Sequence, residues 1–328
     1  MSGISNGAND GDTLYERMHH QISHQTKINK MTNKILNLSF EEYGKIPRMN
    51  ASTLVKGYRR IGGTMRKLKR GMNGAKDEPS KAMQFGNKYH SLILEPEMFK
   101  SAYCVMPNFA MDFDNVDAKG KQTMSPLTNF CRSAKKAFME KAEADKMEVI
   151  DQDEFDRAME MRRSIAEKPR AMELLRSSEA EVTLFGEIDD MEFKARLDLL
   201  SSSTICDLKG TRSVIESKFG SDAAKLGYGF KLAIYREIAR QVTGEVLPVE
   251  IIAVESAGDF DCVVYTVPDA VLDEGLEFVH ETIAEYRECE RTGRWTGVDK
   301  GSDTLPLYWP NWAMKSEVEQ LDWSDIYE

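Results

Sequence analysis

Cysteine is scarce in this 328-residue chain, and its placement does not suit metal or disulfide chemistry. No two of the five cysteines form a CxxC pair; they are Cys104, Cys131, Cys206, Cys262 and Cys289. Zinc sites, iron–sulfur clusters and disulfide frameworks depend on closely spaced or paired cysteines. The sequence therefore argues against all three and predicts buried, reduced thiols.

Long hydrophobic runs and nucleotide-binding loops are also missing. No stretch approaches the roughly 20 consecutive apolar residues that a membrane helix needs. The polar start MSGISNGANDGDT does not have the pattern of a signal peptide, so we expect a cytoplasmic protein without a membrane partner. No G-x-x-x-x-G-K-[ST] string is present, so nothing in the sequence couples a reaction to ATP hydrolysis.

The composition is that of a globular protein with a core, but its charge is uneven. Hydrophobic residues make up 41% and charged residues 30% of the chain, and the net charge is −10. The segment from Lys45 to Lys76 nevertheless carries ten basic residues and no acid, whereas the last twelve residues hold five acids and no base. This contrast fits a protein that binds phosphate at one surface, although a solvated basic loop would look the same.

The pattern along the chain predicts an arm followed by one domain. Residues 1–40 are expected to form a flexible N-terminal arm, with a helix between Leu14 and Leu36. Residues 41–328 are expected to form a single domain. Its parts are a helical, basic upstream region (41–176), an α/β core (177–295) and an acidic C-terminal tail (296–328).

Helices dominate the upstream region. Apolar spacing and caps predict them from Asn50 to about Arg60, from Pro79 to Leu94, and at roughly 126–146, 152–167 and 169–176. Four glycines predict a mobile basic loop at residues 60–76. Residues 107–125 lack periodicity and are expected to form a surface loop.

From Glu181 onward the pattern becomes β-rich. EVTLFGEI and MEFKARLDLL alternate apolar and polar residues around an Asp189-Asp190 turn, and STICDL supplies a third strand. A helix at 226–242, two strands (VEIIAVES and DCVVYTV) and a helix at 268–291 follow. The resulting α-β-β-β-α-β-β-α order indicates an α/β domain with a central mixed β-sheet flanked by helices.

Two acids and a lysine stand at neighbouring strand ends. Asp207 and Lys209 share one face of the third strand, because alternate side chains point the same way. Asp198 closes the strand before it. Such a group can hold Mg²⁺, which takes oxygen ligands and activates an attacking water, while Lys209 positions that water or balances charge.

These motifs resemble the core of the PD-(D/E)xK nucleases, and more narrowly the RecE-like phage and prophage exodeoxyribonuclease VIII family. That family typically has R-x-D, then D-x-K-T-T, then Y-G-Y-x-x-Q-x-x-x-Y. This chain has RLD at 196–198, DLKGT at 207–211 and GYGFKLAIY at 227–235. It also has the upstream string GNKYHSLILEPEMF at 86–99. The resemblance implies a restriction-endonuclease-like core in αβββαβ order.

The resemblance assigns roles to individual residues. Expected metal ligands are His90, Asp198, Asp207 and the backbone carbonyl of Leu208. Lys209 is the expected catalytic lysine, acting with Asp198 and Asp207, and Glu181 is an auxiliary acid. Two departures affect DNA positioning: Lys231 replaces the family glutamine, and Gly210 displaces the second threonine. The expected DNA-binding residues are Arg66, Lys67, Lys69, Arg70, Arg196, Lys231 and Tyr235.

The implied activity is an ATP-independent exonuclease that degrades linear double-stranded DNA from its ends. It would use Mg²⁺, with Mn²⁺ as a substitute, run 5′-to-3′ and leave 3′ single-stranded tails for recombination by annealing. A homo-oligomeric ring and a RecT-like annealing partner are also implied, in the host cytoplasm if a phage encodes the chain. Alternatives are a structure- or site-specific endonuclease of the same superfamily, and a catalytically silent DNA-binding or assembly protein.

Overall fold

The structure, a computed structural model, describes residues 34–35, 38–75, 78–111 and 113–310. The expected arm is outside this range up to residue 33, and the acidic tail is outside it beyond residue 310. Lys76 of the basic segment also lies outside the described residues.

A six-stranded mixed sheet forms the centre of the molecule, in the strand order β1-β4-β5-β6-β7-β8. Its strands are β1 Lys34–Ile35, β4 Glu179–Ile188, β5 Met191–Leu200, β6 Ile205–Thr211, β7 Val249–Glu255 and β8 Cys262–Val267. Neighbours are antiparallel, except that β6 and β7 run parallel. A separate parallel pair joins β2 (Tyr103–Val105) to β3 (Glu148–Ile150). The predicted central mixed sheet is confirmed.

Helices cover both faces of this sheet. They are α1 Phe40–Lys45, α2 Ala51–Leu54, α3 Met65–Met72, α4 Lys81–Leu94, α5 Pro96–Ala102, α6 Asn129–Ala144, α7 Gln152–Ala166, α8 Pro169–Ser177, α9 Glu216–Lys225, α10 Tyr228–Thr243 and α11 Asp269–Thr292. One apolar core joins the sheet to α3, α10 and α11, and a second joins its other face to α4, α7 and α8. Within the described part of the chain, no helix is long and apolar enough to cross a bilayer.

The β4–β5 hairpin follows directly from its sequence. Side chains such as Leu184 and Leu197 alternate into the core and are fully buried, which fixes the register of the two strands. The turn residues Asp189 and Asp190 have φ of 49° and 53°. Two consecutive positive φ values are the mark of a type I′ turn, whose twist matches that of the flanking strands. The predicted hairpin and its turn are confirmed.

The mobile loop expected at 60–76 is wrong, because its centre is the helix α3. The Thr64 side chain caps this helix by accepting the N–H of Lys67 at 3.1 Å. Met65 and Leu68 are both fully buried on one face and anchor the helix to the core. The glycines lie around the ends of this helix, and Gly74, with φ of 80°, follows its last turn.

Three other expectations need correction. Lys34 and Ile35 belong to an edge strand that pairs with β4, not to a helical arm, because β4 offers a free edge there. Asn50 does cap a helix, but the α-helix ends at Leu54 and continues as two 3₁₀ turns, Val55–Gly57 and Arg59–Ile61. A helix not anticipated, α9, precedes α10.

Candidate active site

The site lies where strands β5 and β6 separate. Their pairing runs through Leu200–Ile205 and Leu199–Cys206 and then stops. Asp198 and Asp207 are the next residues on the two strands. The Asp198 Oδ2 atom accepts the backbone N–H of Leu208 at 2.8 Å, so a side chain replaces the missing ladder bond. The two acids therefore line the gap between the strands.

Three side chains that could hold a metal ion converge on one side of this gap. His90, Glu181 and Asp198 each offer one ligand atom, and these atoms lie within 4.8 Å of one another. Asp198 and Glu181 lie opposite each other in the β4–β5 register, between the paired residues on either side. His90 comes from α4, and its Nδ1 atom lies 3.8 Å from Asp198 Oδ2. The structure thus brings together three residues far apart in sequence.

Glu181 has an unusual backbone for a residue within a strand. Its φ of 53° is in the left-handed region, which costs a non-glycine residue about 1–3 kcal/mol. Burial raises the pKa of Glu181 to about 7, and the nearby Asp198 carboxylate adds to the rise. A strained, partly buried acid beside another carboxylate is the kind of feature found at functional sites.

Arg196 is engaged by the acids around it. Its Nε donates to Glu181, its Nη1 donates to the Leu38 carbonyl at 2.8 Å, and its Nη2 lies 3.8 Å from Glu95. These contacts hold the Glu181 carboxylate in place. Arg196 was expected to contact DNA, yet here its guanidinium points into the acid cluster. Sequence reasoning missed Glu95, although this residue lies within the GNKYHSLILEPEMF string at 86–99.

Asp207 and Lys209 form an ion pair on the other side of the gap. Lys209 Nζ lies 2.5 Å from Asp207 Oδ2 and 3.8 Å from Asp198 Oδ2, and it donates to the Leu208 carbonyl at 3.2 Å. Burial opposes the charge on Lys209, but Asp207 and Asp198 outweigh it and hold the Lys209 pKa well above its usual value. Lys209 therefore carries a positive charge next to both acids.

The group formed by His90, Glu181 and Asp198 does not include Asp207, which pairs with Lys209 instead. Burial raises the pKa of Asp207. The Leu208 carbonyl, an expected metal ligand, faces the Lys209 ammonium.

His90 is suited to ligation, because burial and the Lys209 charge lower its pKa to about 4 and keep the imidazole neutral.

Helix α10 closes the lysine side of the site. Lys209 Nζ lies 5.7 Å from the centre of the Tyr228 ring, and Lys231 Nζ lies 5.9 Å from the same ring. Burial, followed by repulsion from Lys209, lowers the pKa of Lys231. Burial raises the pKa of Tyr235, and the charges of Asp207 and Asp198 add to it. Sequence reasoning gave Tyr228 no role, although this residue lies within the GYGFKLAIY string at 227–235.

Gly210 makes room for a second overlooked aromatic residue. A Cβ atom at position 210 would lie 3.0 Å from Cε1 and 3.2 Å from the hydroxyl oxygen of Tyr89, closer than nearly all real contacts. Tyr89 is buried, and its ring meets the ring of His90 edge-on with centroids 4.8 Å apart. The glycine that departs from the family motif therefore accommodates the aromatic residue beside His90.

The four basic residues expected to bind DNA at 66–70 all lie on α3. Arg66 Nε donates to the Trp295 carbonyl at 3.0 Å, and Lys69 Nζ lies 4.5 Å from the centre of the Trp295 ring. Lys67 Nζ donates to the Gly62 carbonyl at 2.7 Å. The Arg66 and Lys69 contacts fasten α3 to Trp295, which follows α11, rather than to the acid cluster.

Comparison with known proteins identifies the fold and the family of this chain. No curated protein matches the chain. A crystal structure of a candidate exonuclease from Eubacterium rectale has a TM-score of 0.56 and 18% identity, covering 87% of this chain and 100% of that one. This likeness confirms the restriction-endonuclease-like fold. The family described as a PDDEXK-like domain of unknown function (DUF3799) matches residues 55–300, and the resemblance to the PD-(D/E)xK nucleases is thereby confirmed. The chain belongs to this PDDEXK-like family.

Proposed function

We propose that this chain is a metal-dependent, ATP-independent exonuclease that degrades linear double-stranded DNA. One observation carries the proposal: His90, Glu181 and Asp198 converge within 4.8 Å of one another beside the Asp207–Lys209 ion pair. Two carboxylates, an imidazole and an adjacent lysine are the groups that metal-assisted phosphodiester hydrolysis needs. The PDDEXK-like fold supports nuclease chemistry in general.

The donor set fits a divalent cation. Carboxylate oxygens suit Mg²⁺ and Mn²⁺, and the neutral imidazole of His90 adds a nitrogen ligand. Burial of Glu181 next to Asp198 leaves two acids that a cation would stabilise together. His90, Glu181 and Asp198 would hold the ion, with Asp207 and the Leu208 carbonyl on the neighbouring strand. When bound, the ion would supply Lewis-acid polarisation of the phosphate and a lower pKa for water.

The protein's own residues would divide the remaining work. Lys209, held as a cation by Asp207 and Asp198, would orient the attacking water and balance the charge that develops on the phosphate. Arg196 would keep Glu181 aimed at the site. Lys231, on the α10 face beside Tyr228, would contact a DNA phosphate as a point charge, in place of the glutamine typical of the RecE-like proteins.

The finer features of the activity belong to the same proposal. We propose 5′-to-3′ digestion that leaves 3′ single-stranded tails, a homo-oligomeric ring around the duplex, and transfer of the tails to a RecT-like annealing protein in the cytoplasm. The resemblance of the motifs at 86–99, 196–198 and 207–211 to the RecE-like proteins supports these features. Basic residues on α3 would bind phosphate without reading sequence.

A digestion assay separates the proposal from its alternatives. Linear and covalently closed circular duplexes of the same sequence are incubated with the protein and Mg²⁺ or Mn²⁺, without ATP. Loss of the linear duplex alone, with release of mononucleotides, supports the exonuclease. Cutting of the circle would show an endonuclease instead. If both DNAs stay intact, the proposed activity is overturned, and the remaining interpretation is a DNA-binding or assembly protein without nuclease activity.

A further inference from the structure

The chain before α2 holds the β4–β5 hairpin at both of its edges. Strand β1 pairs with the edge of β4 that faces away from β5. At the other edge, the Met49 N–H donates to the Glu192 carbonyl at 3.0 Å, and the Met49 carbonyl accepts the Lys194 N–H at 2.8 Å. This edge of β5 is open, because its pairing with β6 is confined to the two residues after Asp198. Helix α1 lies between the two attachments in the sequence.

A row of side chains on β5 leads from the site to the segment that contains α1. Lys194, Arg196 and Asp198 share one face of the strand, because alternate side chains point the same way. Asp198 is one of the three residues that could hold the metal ion. Arg196 and Lys194 both donate to backbone carbonyls between residues 38 and 46. The row therefore connects the site to α1.

Lys194 holds the end of α1. The residue is only 4% exposed, and its Nζ donates to the carbonyls of Tyr43 and Ile46, both at 2.7 Å. The same Nζ lies 4.6 Å from the centre of the Tyr43 ring. Carbonyls at a helix end have no partner within the helix and carry partial negative charge. Because a buried charge without partners is costly, Lys194 and these carbonyls hold each other in place.

A capping box holds the start of α1. The Ser39 N–H donates to the Glu42 carboxylate at 3.0 Å, and the Glu42 N–H donates to the Ser39 hydroxyl at 3.2 Å. The Leu38 carbonyl and the Ser39 N–H belong to one planar peptide unit. Fixing the N–H therefore also fixes the direction in which the Leu38 carbonyl points.

The Leu38 carbonyl is the acceptor that orients Arg196. It accepts the Arg196 Nη1 group at 2.8 Å, while the Nε of the same guanidinium donates to Glu181. A guanidinium is planar, and its donors have a fixed arrangement. Holding Nη1 at the carbonyl thus sets the direction of Nε, and with it the position of the Glu181 carboxylate.

We infer that Lys194 and Glu42 are positioning residues for the proposed metal site. They hold the two ends of α1, so that the Leu38 carbonyl keeps Arg196 in place and Arg196 aims Glu181 at the ion. Neither residue belongs to the group of three that could hold the metal, so both act through Arg196. The inference rests on the metal site of the proposed function.

Isothermal titration of the full-length protein with Mn²⁺ tests this role. Lys194→Met should bind Mn²⁺ about 10–100-fold more weakly, the loss seen when a residue that supports a metal ligand is removed. Glu42→Ala should weaken binding by a smaller factor, because only the start of α1 is released. The matched control is Glu41→Ala, since this neighbouring exposed acid pairs with Lys45 and not with the Ser39 N–H. Its affinity for Mn²⁺ should equal that of the wild type.

A second measurement follows Arg196 in the absence of metal. In ¹⁵N-labelled protein, the Arg196 Nε–H signal is identified by its absence in Arg196→Lys. This group should exchange slowly with solvent in the wild type and Glu41→Ala. In Glu42→Ala and Lys194→Met it should exchange about tenfold faster, the factor expected for roughly one lost hydrogen bond. Circular dichroism would verify folding, and because Glu42 is exposed, its variant keeps the test decisive even if Lys194→Met unfolds.

The two measurements separate this inference from the proposed function. An unchanged Mn²⁺ affinity in the folded variants would overturn the inference, and so would an equal loss in Glu41→Ala. A role in stability alone would lower the melting temperature without changing the affinity. If the wild type binds no Mn²⁺, the proposed metal site fails, and the Arg196 signal decides the inference. Unchanged exchange in Glu42→Ala would then overturn it, whereas faster exchange would support it.

Discussion

Asp198 accepts the backbone N–H of Leu208 through the same Oδ2 atom that lies 3.8 Å from His90 Nδ1 and from Lys209 Nζ. One carboxylate oxygen therefore connects the gap between β5 and β6, the group formed with His90, and Lys209. A hydrogen bond to a backbone N–H fixes the carboxylate without neutralising it. The geometry of the site is thus set by the sheet, and the site should respond sharply to single substitutions.

Replacing Asp207 by asparagine should abolish cleavage while DNA binding remains. A neutral amide is a poor ligand for a cation and a poor partner for Lys209. Losing the negative charge of Asp207 should therefore raise the free energy of the transition state for cleavage by several kcal/mol. We expect the cleavage rate to fall by at least about a hundredfold. Quenched-flow digestion and fluorescence anisotropy would measure the two properties separately. The exposed Asp259→Asn is the control. Normal turnover of Asp207→Asn at saturating Mg²⁺ would remove Asp207 from the mechanism.

Removing the His90 imidazole should weaken metal binding by about 10–100-fold, the range seen when groups that support a metal site are removed. Isothermal titration with Mn²⁺ and Mg²⁺ of His90→Ala would measure the change. His280→Ala is the matched control, because His280 pairs with Asp189 at the hairpin turn. Equal affinities of the wild type and His90→Ala for Mn²⁺ and Mg²⁺ would show that His90 only packs against its neighbours and does not bind the metal.

The positive φ of Glu181 should reverse the usual stability order of glycine and alanine. In a strand, alanine is normally more stable than glycine by about 0.5–1 kcal/mol. At position 181 we expect Glu181→Gly to be more stable than Glu181→Ala by about 1 kcal/mol, because only glycine adopts this φ freely. Both variants lack the same carboxylate, so urea unfolding of the pair isolates the backbone effect. Alanine proving the more stable would mean that no strain is stored there.

Neutralising Arg66, Lys67, Lys69 and Arg70 to glutamine should weaken DNA binding and flatten its salt dependence. For each phosphate that these side chains no longer neutralise, the slope of log K against log salt should fall by roughly 0.9, with no change in sequence preference. Thermal melting must accompany the titrations, since Arg66 and Lys69 also contact Trp295. A control set lies on the α7 and α8 side: Arg162, Arg163, Lys168 and Arg176. An unchanged slope would mean that α3 faces away from DNA.

Local patterns in the sequence were enough to predict the hairpin, the succession of strands along the chain from Glu179 onward and the helix that carries His90. Alternation and the Asp189-Asp190 turn act over a few residues, so they can be read without knowing the fold. The helix α3 was hidden because its glycines suggested disorder, while the burial of Met65 and Leu68 depends on distant partners. The strand at Lys34–Ile35 depends in the same way on the free edge of β4.

The site was predictable in its residues but not in their partnerships. The motifs pointed to Asp198, Asp207 and Lys209, and the structure places these three together. The grouping of Glu181 with His90, and of Asp207 with Lys209, depends on how two strands separate. The Arg196–Glu181 contact likewise joins neighbouring strands and leaves no mark in linear spacing.

The close approach of Gly210 to Tyr89 has a consequence for how these two positions evolve. A threonine at position 210 would require the residue at position 89 to be smaller or the Tyr89 ring to shift by a few tenths of an ångström, so we expect the two positions to change together across related sequences. A relative with the threonine should carry a small residue before its histidine, and a relative with the glycine should carry an aromatic one. The histidine at position 90 would then be packed either by a glycine at 210 with an aromatic residue at 89, or by a threonine at 210 with a small residue at 89. Exchanging only one of these two residues between relatives should disturb the position of the histidine.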